Sequence, residues 1–428
     1  MNKTTRKAIT AGVLGNAIEW YDFALYGHFS VIIGQTFFPK EEPQLAMLAA
    51  FAVFSVSFFM RPLGAVFFSL IGDRYGRKRA LALSMLGMAI PTAGIGLLPS
   101  YSSWGIAATV TLVLLRLFQG LSVGGEMGGA VTYVMEHTPP RQIGLASSLI
   151  QSSTCLGLLF GTVVSSALSW FIGQEAFENY GWRLPFVFGI GAAWIGFEIR
   201  RHMPESVLYE EARKEDRLLK NPVKVAICEH PMEILKGVGI LMPMTSGFFF
   251  TYVYFNSFMM TSLKFPATEA LFITSIGLVI GLLTTIAGGW LADRWGFRRV
   301  LLIGVFTLMI TLFPILSTFS GTTNPKAIMV AFFMLSVALG IYTSSVFGTV
   351  SGLFGTEIRY SGVSLAVNLS SPIFGSTAPL LAAWLINHFG ITTGFTYFGF
   401  YMTGLCLLAF LAIKRIRSQN FQEWKKIG

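Results

Sequence analysis

Gly72-Asp73-Arg74-Tyr75-Gly76-Arg77-Lys78-Arg79 and Ala292-Asp293-Arg294-Trp295-Gly296-Phe297-Arg298-Arg299 share one pattern: an acid, an arginine, an aromatic and a glycine, then basic residues. Their aspartates lie 220 residues apart. A second pair of markers, Glu136 leading to Arg141 and Glu357 leading to Arg359, recurs at an offset of 221. Two markers at nearly one spacing make the 428-residue chain a tandem duplication.

Outward from these loops the chain is mostly apolar. A helix that crosses the hydrocarbon of a bilayer needs about 20 such residues. The first copy offers six spans, near 8–33, 46–71, 80–98, 105–133, 145–171 and 183–199. The second offers six more, near 234–260, 268–291, 300–318, 327–350, 362–387 and 394–413. A polar stretch, 200–231, with seven basic and six acidic residues, reads as a solvated linker between the copies.

Composition agrees: 53% of residues are hydrophobic and only 12% charged, where a soluble domain carries about 25% charge. That excludes a soluble enzyme, a disordered chain and a secreted disulfide scaffold. Cys155, Cys228 and Cys406 form no paired framework. The apolar run after Lys3, Arg6 and Lys7 is interrupted by Glu19 and Asp22. It is therefore a retained membrane helix rather than a signal peptide.

The expected fold is an all-α membrane protein, twelve transmembrane helices in two pseudo-symmetric six-helix bundles. The bundles are 1–199 and 232–413, with a cytoplasmic linker at 200–231 and a tail at 414–428. Such parallel repeats place a substrate site at their interface near the midplane. Of the 31 Lys and Arg, 24 fall on the side of the termini and linker and three (Lys40, Lys264, Lys326) on the other. The positive-inside rule then puts both termini in the cytoplasm. The net charge of +10 is thereby explained by topology, and no nucleic-acid module is present.

The loop 72–79, its copy at 292–299 and Arg116-x-x-Gln119-Gly120 resemble the hallmark motifs of the major facilitator superfamily. Within it, Gly15-Asn16-Ala17-Ile18-Glu19-Trp20-Tyr21-Asp22-Phe23 is similar to the metabolite:proton symporter family, which includes proline/betaine, alpha-ketoglutarate, citrate and shikimate transporters. So are Arg61-Pro62-Leu63-Gly64, Gly124-Gly125-Glu126, Trp182-Arg183-Leu184-Pro185-Phe186 and Arg359-Tyr360-Ser361-Gly362. Ser69 stands where the superfamily pattern has glycine, and no Gly-Pro antiporter motif is visible in 145–171. The resemblance implies a multi-pass transporter of the bacterial inner membrane. It would act as a monomer that imports a small organic acid, amino acid or betaine-type osmolyte with protons. Fifteen residues follow the last span, whereas osmosensing relatives often carry a long coiled-coil extension. The expectation is thus an organic-acid or amino-acid substrate without osmotic gating.

Charge at the bilayer centre costs on the order of 2.5–3.5 kcal/mol or more and marks a substrate or ion path. Glu19, Asp22, Arg61, Arg116 and Glu126 are such charges, all in the first copy. At helical spacing Asn16, Glu19, Asp22 and Tyr26 share one face of span 1, and Arg116, Gln119, Glu126 and Tyr133 one face of span 4. With about 1.5 Å rise per residue, Asp22 and Arg116 fall in a midplane layer, and Glu19, Arg61 and Glu126 slightly below it. Burial favours a neutral carboxyl and a nearby arginine its anion, so a change of access can load and release a proton. Asp22 is the expected proton carrier, with Arg116 as its modulator and Glu19 and Glu126 as second choices; buried ion pairs holding helices together are the alternative.

Substrate contacts are expected from Tyr26, Gln119, Tyr252, Tyr254, Asn256, Tyr342 and Asn368. Two cavity arginines would suit a carboxylate. Asp73, Arg77, Asp293 and Arg298 are the expected cytoplasmic gate. No metal-ligand spacing, phosphate loop or nucleophile motif occurs, so neither an enzyme nor a cofactor other than the coupling proton is expected. An uncoupled facilitator or exchanger is the nearest alternative, and a non-transporting sensor a more distant one.

Overall fold

A computed structural model of the chain describes residues 3–39, 43–322 and 324–416. Lys40 and all but the first three residues of the tail therefore lie outside the described residues. The chain is helical throughout, with no strand among the described residues. Spans 1 to 6 are Lys3–His28, Pro43–Tyr75, Arg77–Leu97, Ile106–Glu136, Pro140–Ile172 and Arg183–Arg201. Spans 7 to 12 are Pro231–Thr261, Glu269–Trp295, Phe297–Gly321, Pro325–Ser351, Arg359–Phe389 and Ile391–Lys414. Nine of these helices, span 3 through span 5 and all of the second half, are apolar enough over their length to cross a membrane. Span 1 departs because Asn16, Glu19 and Asp22 occupy its middle. Large apolar side chains stand exposed along the outside, such as Phe59, Trp170, Ile310 and Leu380, as a lipid-facing belt requires.

The duplicated loop has a backbone reason. Gly76 (φ 110°) and Gly296 (φ 88°) each break one helix and start the next. A side chain rarely adopts that conformation, so each copy keeps glycine at this turn. Within the first half, spans 2 and 4 cross backbone to backbone: a Cβ on Gly64 would meet the carbonyl of Leu121, and one on Gly120 that of Ser57. The close crossing brings Arg61 and Arg116 to one interior.

Span 7 carries a π-helical turn at Phe250–Tyr254 and span 11 one at Ser371–Gly375. Such bulges commonly mark functional positions, and here both lie beside the surface shared by the halves. The linker is not uniformly solvated. It contains two short helices, Val207–Lys214 and Pro222–Glu229, and the segment from Met203 to Ala212 buries Met203, Leu208, Tyr209 and Ala212. Arg200, read from the sequence as the first linker charge, is a correction: it belongs to span 6 and is 1% exposed.

Candidate functional site

A cavity lies between the halves. The first half contributes Glu19 and Trp20 from span 1, Arg61 from span 2, Val123 and Met127 from span 4, and Gln151 and Thr154 from span 5. The second contributes Met244, Thr245, Phe248 and Phe249 from span 7, Phe347 from span 10, and Val367, Asn368 and Ser371 from span 11. Trp20 meets Phe248 edge to face with centroids 5.2 Å apart, and Phe249 packs on Trp20, Phe23 and Phe58. An aromatic wall therefore closes one side.

Two lining residues are charged, Glu19 and Arg61. No ion pair within 4.0 Å joins them among the described residues. Glu19 Oε2 and Arg61 Nε have no hydrogen-bond partner, and the guanidinium carbon of Arg61 sits 4.3 Å from the Phe58 ring centroid. An unsatisfied buried polar atom costs about 1–3 kcal/mol, more when charged, so Glu19 Oε2 and Arg61 Nε can each still take a hydrogen-bond partner.

Asp22 and Arg116 lie outside this cavity and do not pair directly. The amide of Gln119 stands between them: its nitrogen donates to Asp22 Oδ2 and to Thr92 Oγ1 (2.9 Å), and its oxygen accepts from Arg116 Nη1. The Arg116 guanidinium lies 4.0 Å over the Tyr26 ring. Tyr26 and Gln119, expected at the substrate, are instead part of this layer. Glu126 pairs with Arg200, not with Arg61. Arg200 Nη1 donates to Glu126 Oε2 (2.7 Å) and Leu81 O (3.0 Å), its Nη2 donates to Glu126 Oε1, and Ser84 Oγ donates to Glu126 Oε2 (2.8 Å). Gly15 makes room for it, since a Cβ there would strike the Arg200 guanidinium.

Among the expected contacts from the second half, Asn368 reaches the cavity, where its Nδ2 donates to Gly124 O across the halves (2.8 Å). The other four do not line this cavity, and each has a partner within its own half. Tyr342 donates to Ile240 O (2.6 Å), Tyr252 packs on Phe248 and Phe332, Tyr254 stacks on Phe250, and Asn256 accepts from Thr274.

The end of the bundle that carries the duplicated loops is closed by a buried charge network between the halves. Asp73 Oδ2 accepts from Ser361 N (3.0 Å) and Oγ (2.5 Å), and Asp73 pairs with Arg77 at 3.1 Å. Arg77 also donates to Thr356 O (2.6 Å) and to Glu136, which in turn accepts from Arg359 Nη1 (3.0 Å) and Ser206 Oγ. Asp73 thus sits at the N-terminus of span 11, where a helix favours negative charge. In the second copy Asp293 caps span 5, accepting from Gly144 N (2.6 Å) and Leu145 N (2.9 Å).

Arg298 does not join the gate. It is exposed and, among the described residues, reaches only Lys414 O, at 3.5 Å. Glu136 and Arg359, noted from the sequence only as repeat markers, take that place. The linker completes the network: Glu205 accepts from Arg77 N (3.0 Å), Tyr209 donates to Arg74 O (2.9 Å), and burial pushes the Tyr209 phenol above its ordinary range.

Comparison with known proteins gives consistent matches. A profile described as "Sugar (and other) transporter" matches residues 7–221, and one described as "Major Facilitator Superfamily" matches 237–427. The chain is 35% identical over 392 residues to a proline/betaine transporter of Salmonella typhimurium, covering 89% of this chain and 78% of that protein. It is 34% identical over 423 residues to the Escherichia coli K12 inner membrane metabolite transport protein YhjE, covering 97% and 95%. Among solved structures, the proton:xylose symporter XylE bound to 6-bromo-6-deoxy-D-glucose superposes with a TM-score of 0.79, at 17% identity over 96% of each chain.

Proposed function

The chain belongs to the major facilitator superfamily, whose members are transporters rather than enzymes, and on that premise we propose that it imports a small zwitterionic carboxylate together with a proton. Its membrane is the bacterial inner membrane, with both termini cytoplasmic as the charge asymmetry requires. One chain contains both halves of the cavity, so a monomer is the working unit. No metal or organic cofactor enters this reading; the coupling ion is the proton.

The observation that carries the substrate class is a buried arginine, Arg61, set opposite an aromatic wall in the shared cavity. Arg61 offers a planar fork of donors to a carboxylate. The aromatic wall of Trp20, Phe248 and Phe249 offers the complementary surface to a cationic nitrogen, which ring faces attract. A dicarboxylate or tricarboxylate would set a second anion against these ring faces. Curated relatives include transporters described for proline and betaine, and both compounds are zwitterions of this kind.

Proton coupling is supported by the neighbouring Asp22–Gln119–Arg116 layer, one turn along the same helix from Glu19. Rocking of the halves changes the water access of these acids, and a carboxyl that changes environment changes its proton affinity. An uncoupled facilitator or exchanger would move the same substrates without proton movement.

Replacing Arg61 tests the substrate claim. Hydrogen bonds to charged groups contribute about 1.5–3 kcal/mol each, and a bidentate grip holds two. Arg61→Gln is therefore expected to weaken glycine betaine binding about 100-fold or more, read by radioligand binding to the purified protein. Unchanged affinity would remove Arg61 from the site.

A further inference from the structure

The substrate cavity contains Glu19 but not Asp22. Behind it lies a second, smaller cleft whose polar lining residues are Glu19, Asp22, Ser57, Arg61, Arg116 and Gln119. Of the acids, Glu19 alone lines both. On the cleft's residues, Glu19 Oε2, Asp22 Oδ1 and Arg61 Nε are buried without a hydrogen-bond partner. Buried polar atoms of this kind are normally satisfied by protein or by water. A small cleft with polar walls on several sides suits a water or two.

We infer that ordered water in this cleft joins Asp22 to Glu19 as two successive proton stations, with Glu19 the one that meets the substrate. The inference rests on the proton-coupled reading above and assigns its steps. Asp22 lies three residues beyond Glu19 on span 1, about 4.5 Å further from the N-terminus, so it is nearer the outer face and loads first. Protonated Asp22 then gives its proton to a water oxygen while that water passes one of its own protons to the Glu19 carboxylate. One O–H bond breaks at Asp22 and one forms at Glu19, and the water is regenerated.

Neutral Glu19 no longer compensates Arg61, which strengthens the cavity's hold on a carboxylate. Substrate and proton are thereby bound together, while Asp22 never touches the substrate. The groups facing Glu19 are Arg61 from span 2, Glu126 from span 4, Arg200 from span 6 and Asp22 from its own helix. Those facing Asp22 are Arg116 from span 4 and Thr92 from span 3, with Gln119 bridging and Tyr21 alongside.

Two variants separate the stations, with glycine betaine as the probe. Its binding to the purified protein is titrated from acidic to neutral pH, and proton uptake is followed with a trapped dye in proteoliposomes. Both Glu19→Gln and Asp22→Asn are expected to lose proton-driven accumulation. The pH dependence of binding should vanish in Glu19→Gln and survive in Asp22→Asn. Glu19→Asp, which restores a carboxyl, should recover pH-dependent binding and so exclude a collapsed bundle as the cause.

Infrared difference spectra of the carboxyl stretch need no substrate. Linked stations titrate as a pair, so removing either acid should shift the titration of the other. Binding that stays pH-dependent in Glu19→Gln, or carboxyls that titrate independently, would overturn the inference. Wild-type transport of glycine betaine without proton uptake would instead overturn the proton-coupled reading, which the infrared result would leave unexplained.

Discussion

Glu136→Ala is expected to shift the resting protein from closed to open at the end that the proposed orientation places in the cytoplasm. Glu136 is 1% exposed and is shared by Arg77 from its own half, Arg359 from the other half and Ser206 from the linker. Removing it leaves two buried guanidinium groups without their common carboxylate. Breaking a buried ion pair by deleting one partner costs about 3–5 kcal/mol. Opening admits water to both arginines and relieves that cost, so the closed state alone is penalised. A bias of this size changes a two-state ratio by about 10²-fold or more.

The measurement is labelling of a single cavity cysteine, Val123→Cys, in protein carrying Cys155→Ser, Cys228→Ser and Cys406→Ser. A membrane-impermeant maleimide on inside-out vesicles should react at least about 10-fold faster in Glu136→Ala than in the parent. Equal rates in folded protein would contradict the latch. Asp293→Asn should do less. Its carboxylate accepts two backbone N–H groups and no guanidinium, so about 1–2 kcal/mol is at stake.

Glu126→Ala should act on stability instead of state. Its partner Arg200 and their neighbours Leu81 and Ser84 all lie within the first half, so the pair is unaffected when the halves rock. Both members are 0–1% exposed. Stranding Arg200 is expected to cost about 3–5 kcal/mol, seen as a large drop in thermal unfolding temperature of the purified protein. The double variant Glu126→Leu with Arg200→Met should regain most of it, because a volume-matched apolar pair needs no desolvation. A single variant as stable as the parent would refute the staple. A double variant as unstable as the single would show that Arg200 matters for more than charge balance.

These residues also show where sequence reading succeeds and where it stops. The duplicated Asp-Arg-aromatic-Gly pattern was legible because its glycine has a backbone requirement, met at both Gly76 and Gly296. The placing of Glu19 beside Arg61 followed from depth alone, since two helices of known direction and rise fix a layer. Partner choice within a layer did not follow. Periodicity put Asp22 and Arg116 on interior faces but could not show that the Gln119 amide stands between them.

Arg200 was missed because a charge count assigns a polar run to the solvent wherever an apolar run ends. The signal that could have found it is Gly15 on span 1, opposite the end of span 6. The tyrosines of the second half are interior without lining the cavity, for a related reason. A phenol in a helix bundle has carbonyls within reach on neighbouring helices, as Tyr342 has at Ile240, so an interior tyrosine need not face the cavity.

The central claim, a zwitterion carried with a proton through the Glu19–Arg61 cavity, is tested most directly by one assay. Purified protein in proteoliposomes with a trapped pH dye is challenged in turn with glycine betaine, proline, a dicarboxylate and a tricarboxylate. Glycine betaine or proline should acidify the lumen as it enters, and Arg61→Gln should abolish the signal. Acidification by the dicarboxylate or tricarboxylate alone, or a zwitterion signal that survives Arg61→Gln, would contradict the account.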